Sequence, residues 1–319
     1  MDASVDQSGA GDRQRFYPPD GCAYPQHLNA VPNTAEMIVA LDRSTSMQQH
    51  VFDSTTRLQA AQDAIVAATG NHPGIQFGLE LFPSSTDCNG ASCCAGSVSV
   101  QPTPTSIETQ MACGSGDAGC PTAGDDSPSP SALQQCREYF VAEGSQGGRS
   151  SQFVLLMTDQ DPTCAADSFA DGTPCTSGTN EAGKLGARNV GVQTFVVALN
   201  GDVQATTCLA GMAAANASSF GGNLQFFSVT DQQGLQSALE TIMIAAETNL
   251  CRFSLVHPAA NPSQVVVMVN GTPVQPDPTG QQGWTYSDAT SSEVVLSGAA
   301  CSQWLSGGTS SPEVLACSQ

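Results

Sequence analysis

Apolar runs of strand length alternate with segments of helical spacing through most of the chain, and this alternation constrains the fold most strongly. Residues 37–41 and 153–157 are continuous apolar runs, as expected for strands that are buried on both faces. Residues 57–69 and 232–246 instead carry apolar side chains at the three-to-four-residue spacing of a helix. Strands that alternate with helices predict a doubly wound α/β fold, with a mainly parallel sheet covered by helices.

The same pattern divides the chain into three regions. Residues 1–33 are rich in Gly, Asp, Gln and Pro and are predicted to form an extended tether. Residues 34–250 carry the α/β pattern, which is interrupted by a long Cys-rich loop over residues 84–126 that we expect to be cross-linked. Residues 251–319 lose the helical spacing and show short strand-like runs between turns, which predicts a small all-β C-terminal appendage.

The chain contains 13 cysteines and no CxxC pair, which favours disulfides in an oxidising compartment over zinc sites. Because the number is odd, at least one cysteine is free or bonds to another molecule. We therefore expect a secreted or cell-surface protein whose signal or lipoprotein leader is absent from this chain. Short separations and the position of the tether predict these bridges: Cys113–Cys120, Cys164–Cys175, Cys301–Cys317 and Cys22–Cys251.

The charge balance excludes several classes of partner. Nine basic residues stand against 29 acidic ones, so the formal net charge is −20. Such a surface repels phosphate backbones and anionic lipid, and no apolar segment is long enough to span a bilayer, so we expect neither nucleic-acid binding nor membrane insertion. Most of these carboxylates are expected only to keep the protein soluble, although an acidic surface also suits hard cations.

Three polar segments lie where a sheet of this kind binds its ligands, beyond the carboxyl ends of the strands. The segments are Asp42-Arg43-Ser44-Thr45-Ser46, Ser127-Pro128-Ser129 and Thr158-Asp159. Any one of them alone would indicate a helix cap or a strand end. Together they offer two carboxylates and three hydroxyls from three loops, and hard divalent cations prefer oxygen ligands. The sequence therefore predicts a metal site.

These segments, in this order, resemble the metal-ion-dependent adhesion site of von Willebrand factor A domains, and the resemblance covers roughly residues 35–248. It implies a Rossmann-like α/β fold and one divalent cation, with Mg²⁺ as the first choice and Ca²⁺ or Mn²⁺ as alternatives. In that family the two serines of the first segment bind the metal directly, and the other residues bind it directly or through water. The metal ligands implied are Asp42, Ser44, Ser46, Ser127 and Asp159.

Two positions depart from the family pattern. Ser127 stands where the family usually has Thr, which keeps the hydroxyl but restrains its side chain less. Gln160 stands where Gly often follows the second Asp and is expected to crowd the rim of the pocket. Ser129 lies two residues beyond Ser127 and remains an alternative third hydroxyl.

The resemblance implies an extracellular, metal-dependent adhesion module that offers an open coordination position to a partner. The expected partner is a protein ligand, or a matrix or surface component, that binds through an acidic side chain. The alternative is a structural surface lipoprotein, or a filament or scaffold subunit, with a vestigial or purely structural metal site. We do not expect an enzyme, because the four His lie in or beside loops with no GxSxG or HExxH companion.

Overall fold

The chain forms two compact units, which are described separately below. One unit is Pro32–Arg252, and the other combines Met1–Val31 with Phe253–Gln319. A computed structural model describes residues 25–28, 30–32, 34–49, 51–52, 54–84, 98–103, 107, 111, 124, 126–142, 150–164, 173–187, 189–199, 206–219, 225–255, 261–287, 290–306 and 313–317.

Strands and helices alternate along the larger unit, and strands dominate the smaller one. The strands are β1 (Pro25–Leu28), β2 (Ala30–Pro32), β3 (Thr34–Asp42), β4 (Val51–Phe52), β5 (Thr55–Thr56), β6 (Ile75–Phe82), β7 (Val100–Thr103), β8 (Ser150–Thr158), β9 (Gln193–Ala198), β10 (Phe226–Ser228), β11 (Arg252–Leu255), β12 (Val265–Val269), β13 (Thr272–Val274), β14 (Gly283–Tyr286), β15 (Glu293–Ser297) and β16 (Glu313–Cys317). The helices are α1 (Thr45–Gln49), α2 (Arg57–Asn71), α3 (Ser129–Ala142), α4 (Pro174–Gly186), α5 (Thr206–Ala217), α6 (Gln232–Thr248) and α7 (Ala299–Ser306).

The larger unit is built on a six-stranded sheet in the order β10-β9-β8-β3-β6-β7. The central strand β3 pairs in parallel with β6 and with β8, and the outer pairs β8–β9 and β9–β10 are also parallel. Residues 37–41 of β3 are completely buried, and successive residues point to opposite faces, so the sheet is covered on both sides. The predicted α/β fold class is therefore confirmed.

The edge strand β7 lies inside the segment that was predicted to be a long Cys-rich loop, residues 84–126. It pairs antiparallel with β6, with Leu79 opposite Val100 and Phe77 opposite Thr103. Sequence periodicity missed it because four residues are too few to show an alternation. The cysteines of this segment lie outside the described residues.

The smaller unit pairs an N-terminal strand with a C-terminal strand. Strand β1 pairs antiparallel with β16, in a sheet of order β1-β16-β12-β13, and β2 joins a second sheet of order β14-β15-β11-β2. Residues 25–28 and 30–32 thus form strands, in contrast to the extended tether predicted for residues 1–33. The predicted β structure of the appendage is present, together with helix α7, whose Trp304 packs edge-on against Phe253 at 5.0 Å.

A disulfide between Cys175 and Cys208 joins helices α4 and α5, so the predicted Cys164–Cys175 bridge is wrong. The prediction relied on short sequence separation, whereas the packing of α4 against α5 brings residues 33 positions apart into bonding distance. Cys164, Cys251 and Cys301 are also disulfide-bonded. Cys22, Cys113 and Cys120 lie outside the described residues, so the bridges predicted for them stay predictions, as does Cys301–Cys317.

The core between the sheet and helix α3 contains one carboxyl group beside one thiol. Glu80 of β6 is completely buried, and Cys136 of α3, a buried free cysteine, donates its S–H to Glu80 Oε2 at 3.1 Å. Burial raises the pKa of Glu80 from its ordinary 4.5 to about 8, although the bond from Cys136 opposes this. Glu80 is therefore a neutral acid in the folded protein at physiological pH.

We predict that this buried acid makes folding stability depend on pH. Between pH 4.5 and about 8 the folded state retains a proton that the unfolded state has released, so stability is lost as pH rises through this interval. The free energy of unfolding of the wild type should fall by up to about 1.4 kcal/mol per pH unit relative to Glu80→Gln. Urea denaturation across this range measures the difference, with the exposed Glu138→Gln as control. If the difference in free energy of unfolding between Glu80→Gln and wild type does not change with pH, the raised pKa of Glu80 is contradicted.

Candidate metal centre

The predicted site residues lie at the carboxyl ends of the two central strands. Asp42 is the last residue of β3 and stands level with Phe82 of β6. On the other side Leu41 is paired with Met157 of β8, so Thr158, which ends β8, lies beside Asp42. This is the edge at which ligands of doubly wound sheets bind.

Asp42 is completely buried and accepts three hydrogen bonds, all from uncharged donors. The backbone N–H of Ser44 donates to Oδ1 at 2.8 Å. The hydroxyls of Ser127 and Thr158 donate to Oδ2 at 2.7 and 2.6 Å. Among the described residues no basic side chain forms an ion pair with Asp42, so its charge is solvated by dipoles alone.

The pKa of the Asp42 carboxyl group reflects the energetic cost of burying its charge. The pKa of Asp42 is raised from 3.8 to about 6, chiefly by burial and to a lesser degree by the nearby charge of Asp159, against the lowering effect of the bonds from Thr158, Ser127 and Ser44. The raised pKa means that three neutral donors do not fully compensate for the lost water. The carboxylate of Asp42 would therefore gain from a cation at this position.

The second carboxylate connects to the first segment through its serines. Ser46 Oγ donates to Asp159 Oδ1 at 2.7 Å, and the Ser44 and Ser46 hydroxyl oxygens lie 3.0 Å apart. Ser44 is in turn joined to Asp42 through its backbone N–H. The five predicted residues Asp42, Ser44, Ser46, Ser127 and Asp159 thus form one hydrogen-bonded cluster.

Ser127, not Ser129, is the hydroxyl that contacts Asp42. Ser129 Oγ lies 3.1 Å from Ser127 Oγ and is one step further from the carboxylate. The position of Ser127 is set by Thr163, whose hydroxyl accepts a bond from Ser127 N–H at 2.8 Å and whose N–H donates to the Ser127 carbonyl at 3.2 Å. This clamp joins the loop before α3 to the loop after β8.

The first segment is held against the end of β6 by Arg43, a residue between Asp42 and Ser44 to which the sequence analysis assigned no role. Its side chain donates to the carbonyl oxygens of Pro83 at 2.9 Å and Ser84 at 3.2 Å. Its backbone N–H donates to the Phe82 carbonyl at 2.7 Å. These bonds fix the turn on which Ser44 is carried.

Two further residues belong to the cluster: Thr158, which lies in the third predicted segment but was given no role, and Arg57, which lies outside all three segments. Thr158 bonds Asp42, and Arg57 Nη1 donates to Asp159 Oδ2 at 2.7 Å. The position of Arg57 could have indicated a nearby carboxylate. It is the first residue of helix α2, where the helix dipole disfavours a positive charge that has no acidic partner. The pairing itself spans 102 residues and cannot be read from local sequence.

The donor set consists of oxygen atoms only. The described residues contain no group of three or more His, Cys, Asp and Glu side chains that could hold a metal ion, so a metal here would depend on hydroxyl ligands. Two carboxylates with several hydroxyls suit a hard cation such as Mg²⁺ better than a softer ion that prefers nitrogen or sulfur. The residues present therefore fit the divalent cation that the family resemblance implies.

Comparisons with known proteins identify structural neighbours only. No protein-family model matches the sequence, and a search of curated proteins finds no match. Among solved structures, the pilus adhesin SpaC from Lactobacillus rhamnosus GG is 13% identical and aligns over 91% of this chain and 39% of its own, with a TM-score of 0.51.

Two other neighbours align less well. The PilB minor pilin from Streptococcus sanguinis is 13% identical over 67% of this chain and 61% of its own, with a TM-score of 0.46. Proximal thread matrix protein 1 from the mussel byssus, in a structure with a zinc-occupied MIDAS motif, is 17% identical over 72% of this chain and 52% of its own, with a TM-score of 0.42. In each case the alignment spans less than two thirds of the neighbour.

Within the described part of the chain, no helix is both long enough and apolar enough to cross a membrane. The mainly parallel six-stranded sheet, the helices that cover it and the likeness to the pilus adhesin agree with the expected fold. The chain therefore has the expected doubly wound α/β fold, whose ligand edge carries a cluster of carboxylates and hydroxyls.

Proposed function

We propose that this chain is an extracellular binding module that holds one divalent cation, most simply Mg²⁺, at the cluster of Asp42, Ser44, Ser46, Ser127 and Asp159. Ca²⁺ and Mn²⁺ are alternatives with the same preference for oxygen. The bound ion offers an open coordination position to a carboxylate of a protein ligand or of a matrix or surface component. The proposal assigns binding, and no catalysis, to the chain.

The observation that carries the proposal is the environment of Asp42. A carboxylate that is completely buried, at the end of the central strand, is bonded only to uncharged donors. Such an arrangement is costly for the protein alone, because an isolated buried charge loses its solvation. A divalent cation beside Asp42 would remove that cost, and the surrounding hydroxyl oxygens could complete its coordination.

The chemistry of the ligands also argues for an anionic partner. Several of the proposed ligands are hydroxyls, which donate less charge to the metal than carboxylates do. The ion therefore remains electrophilic and favours an Asp or Glu side chain of the partner. An extracellular setting agrees with the disulfide between Cys175 and Cys208, since disulfides persist in oxidising compartments.

A second candidate function is a structural surface lipoprotein, or a filament or scaffold subunit, in which the metal site is vestigial or purely structural. The ion pair of Arg57 with Asp159 favours this candidate, because it gives one of the two carboxylates a cation without any metal. The two candidates differ in whether removal of the metal abolishes partner binding or leaves assembly intact.

We predict that Asp42→Asn weakens divalent-cation binding by about two orders of magnitude or more, because it removes one of two carboxylates that offset the ion's charge. Isothermal titration calorimetry with Mg²⁺, Mn²⁺ and Ca²⁺ measures the effect. The control is Asp63→Asn, an equal change in charge on the exposed face of α2. In EDTA the Asp42→Asn protein should unfold at or above the wild-type temperature, since a neutral amide costs less to bury. Equal metal affinity of Asp42→Asn and wild type would reject the site.

A peptide array tests the open coordination position. We predict that the protein in Mn²⁺ binds some Asp- or Glu-containing peptides, and that it loses this binding in EDTA, in the Asp42→Asn variant and on matched Asn or Gln peptides. Added salt should leave the signal unchanged or raise it, because the net charge of −20 repels acidic peptides at distances beyond about 8 Å at physiological ionic strength. Metal binding with no carboxylate-dependent signal would favour the structural candidate.

A further inference from the structure

We propose that Arg57 is a built-in competitor for the metal: its guanidinium neutralises Asp159, lowers the affinity of the site for a divalent cation and determines the charge of the metal-bound site. This inference rests on the proposed metal-binding function. It concerns a residue of this chain that lies outside the ligand set implied by the family resemblance.

The contact between the two groups is short and largely shielded from water. Arg57 Nη1 lies 2.7 Å from Asp159 Oδ2, and the side chains are 19% and 1% exposed. An ion pair in such surroundings is screened much less than one on the surface. The other oxygen of Asp159 accepts the Ser46 hydroxyl, so the carboxylate bridges the guanidinium and the serine cluster.

The positive charge of Arg57 does not stabilise the start of its own helix. It is the first residue of α2, and the Thr56 side chain already caps this helix by accepting the N–H of Gln59. A positive charge here is opposed by the positive end of the helix dipole. The ion pair with Asp159 offsets this repulsion, and the dipole adds to the positive potential that a metal would meet.

The charges of the site can be counted. The two carboxylates of Asp42 and Asp159 contribute −2 and Arg57 contributes +1, so these three side chains together have a formal charge of −1 before metal binds. A divalent cation brings the total to +1 with Arg57 and to 0 without it. Arg57 thus makes the empty site less attractive to a cation and the loaded site more attractive to an anionic partner.

The test uses Arg57→Gln, which removes the charge, and Arg57→Lys, which keeps it. The matched control is Arg252→Gln in β11, which changes the net charge by the same amount but lies outside the site cluster. The probe is Mn²⁺ alone, titrated by calorimetry into the full chain. Thermal unfolding in EDTA and in saturating Mn²⁺ gives a second readout for each variant.

We expect Arg57→Gln to bind Mn²⁺ about tenfold or more tightly than wild type, whereas Arg57→Lys and Arg252→Gln stay within about threefold of wild type. In EDTA, Arg57→Gln should unfold at a lower temperature than wild type, because Asp159 is left buried without its cation. Saturating Mn²⁺ should therefore raise its unfolding temperature more than that of wild type.

Two results would overturn this inference while leaving metal binding intact: equal Mn²⁺ affinity of wild type and Arg57→Gln, or weaker affinity of Arg57→Gln. A third result overturns the proposed function instead. If neither wild type nor Arg57→Gln binds Mn²⁺, and Arg57→Gln is nevertheless destabilised, the ion pair is a structural replacement for a metal that the site does not hold.

Discussion

The buried carboxylate of Asp42 is the constraint on which the organisation of the ligand edge depends. It ends the central strand, is completely buried, and accepts hydrogen bonds from one N–H and two hydroxyls. Each donor comes from a different segment of the chain. The loop after β3, the loop before α3 and the end of β8 therefore converge on Asp42, and the clamps made by Arg43 and Thr163 hold two of these segments in place.

The parts of the structure that follow from local pattern could be predicted from sequence, and the parts set by tertiary packing could not. Continuous apolar runs identified β3 and β8, and parallel pairing of these strands necessarily brings Asp42 close to Asp159. Sequence could not predict the Arg57–Asp159 pair, the Cys175–Cys208 bridge or the pairing of β1 with β16, since each joins residues that only the assembled fold brings together. The short strand β7 was missed because four residues are too few to show an alternation.

The net charge of the whole chain and the local charge of Arg57 have opposite effects at the proposed metal site. The whole chain carries a formal charge of −20, which attracts cations and repels acidic partners at long range. Locally, Arg57 offsets one of the two carboxylates at the site. In the proposed account a partner carboxylate is repelled at a distance and held only at contact, through the metal. Such binding would depend strongly on the metal and weakly on screening by salt.

The most direct test of the central claim is a crystal structure of the protein grown with Mn²⁺, in which anomalous scattering locates the ion. The account predicts a single strong peak at the carboxyl ends of β3 and β8, at the distance of direct coordination, about 2.0–2.6 Å, from the hydroxyl oxygens of Ser44 and Ser46. A peak elsewhere, or a site without any peak in which the Arg57–Asp159 pair is intact at saturating Mn²⁺, would contradict it.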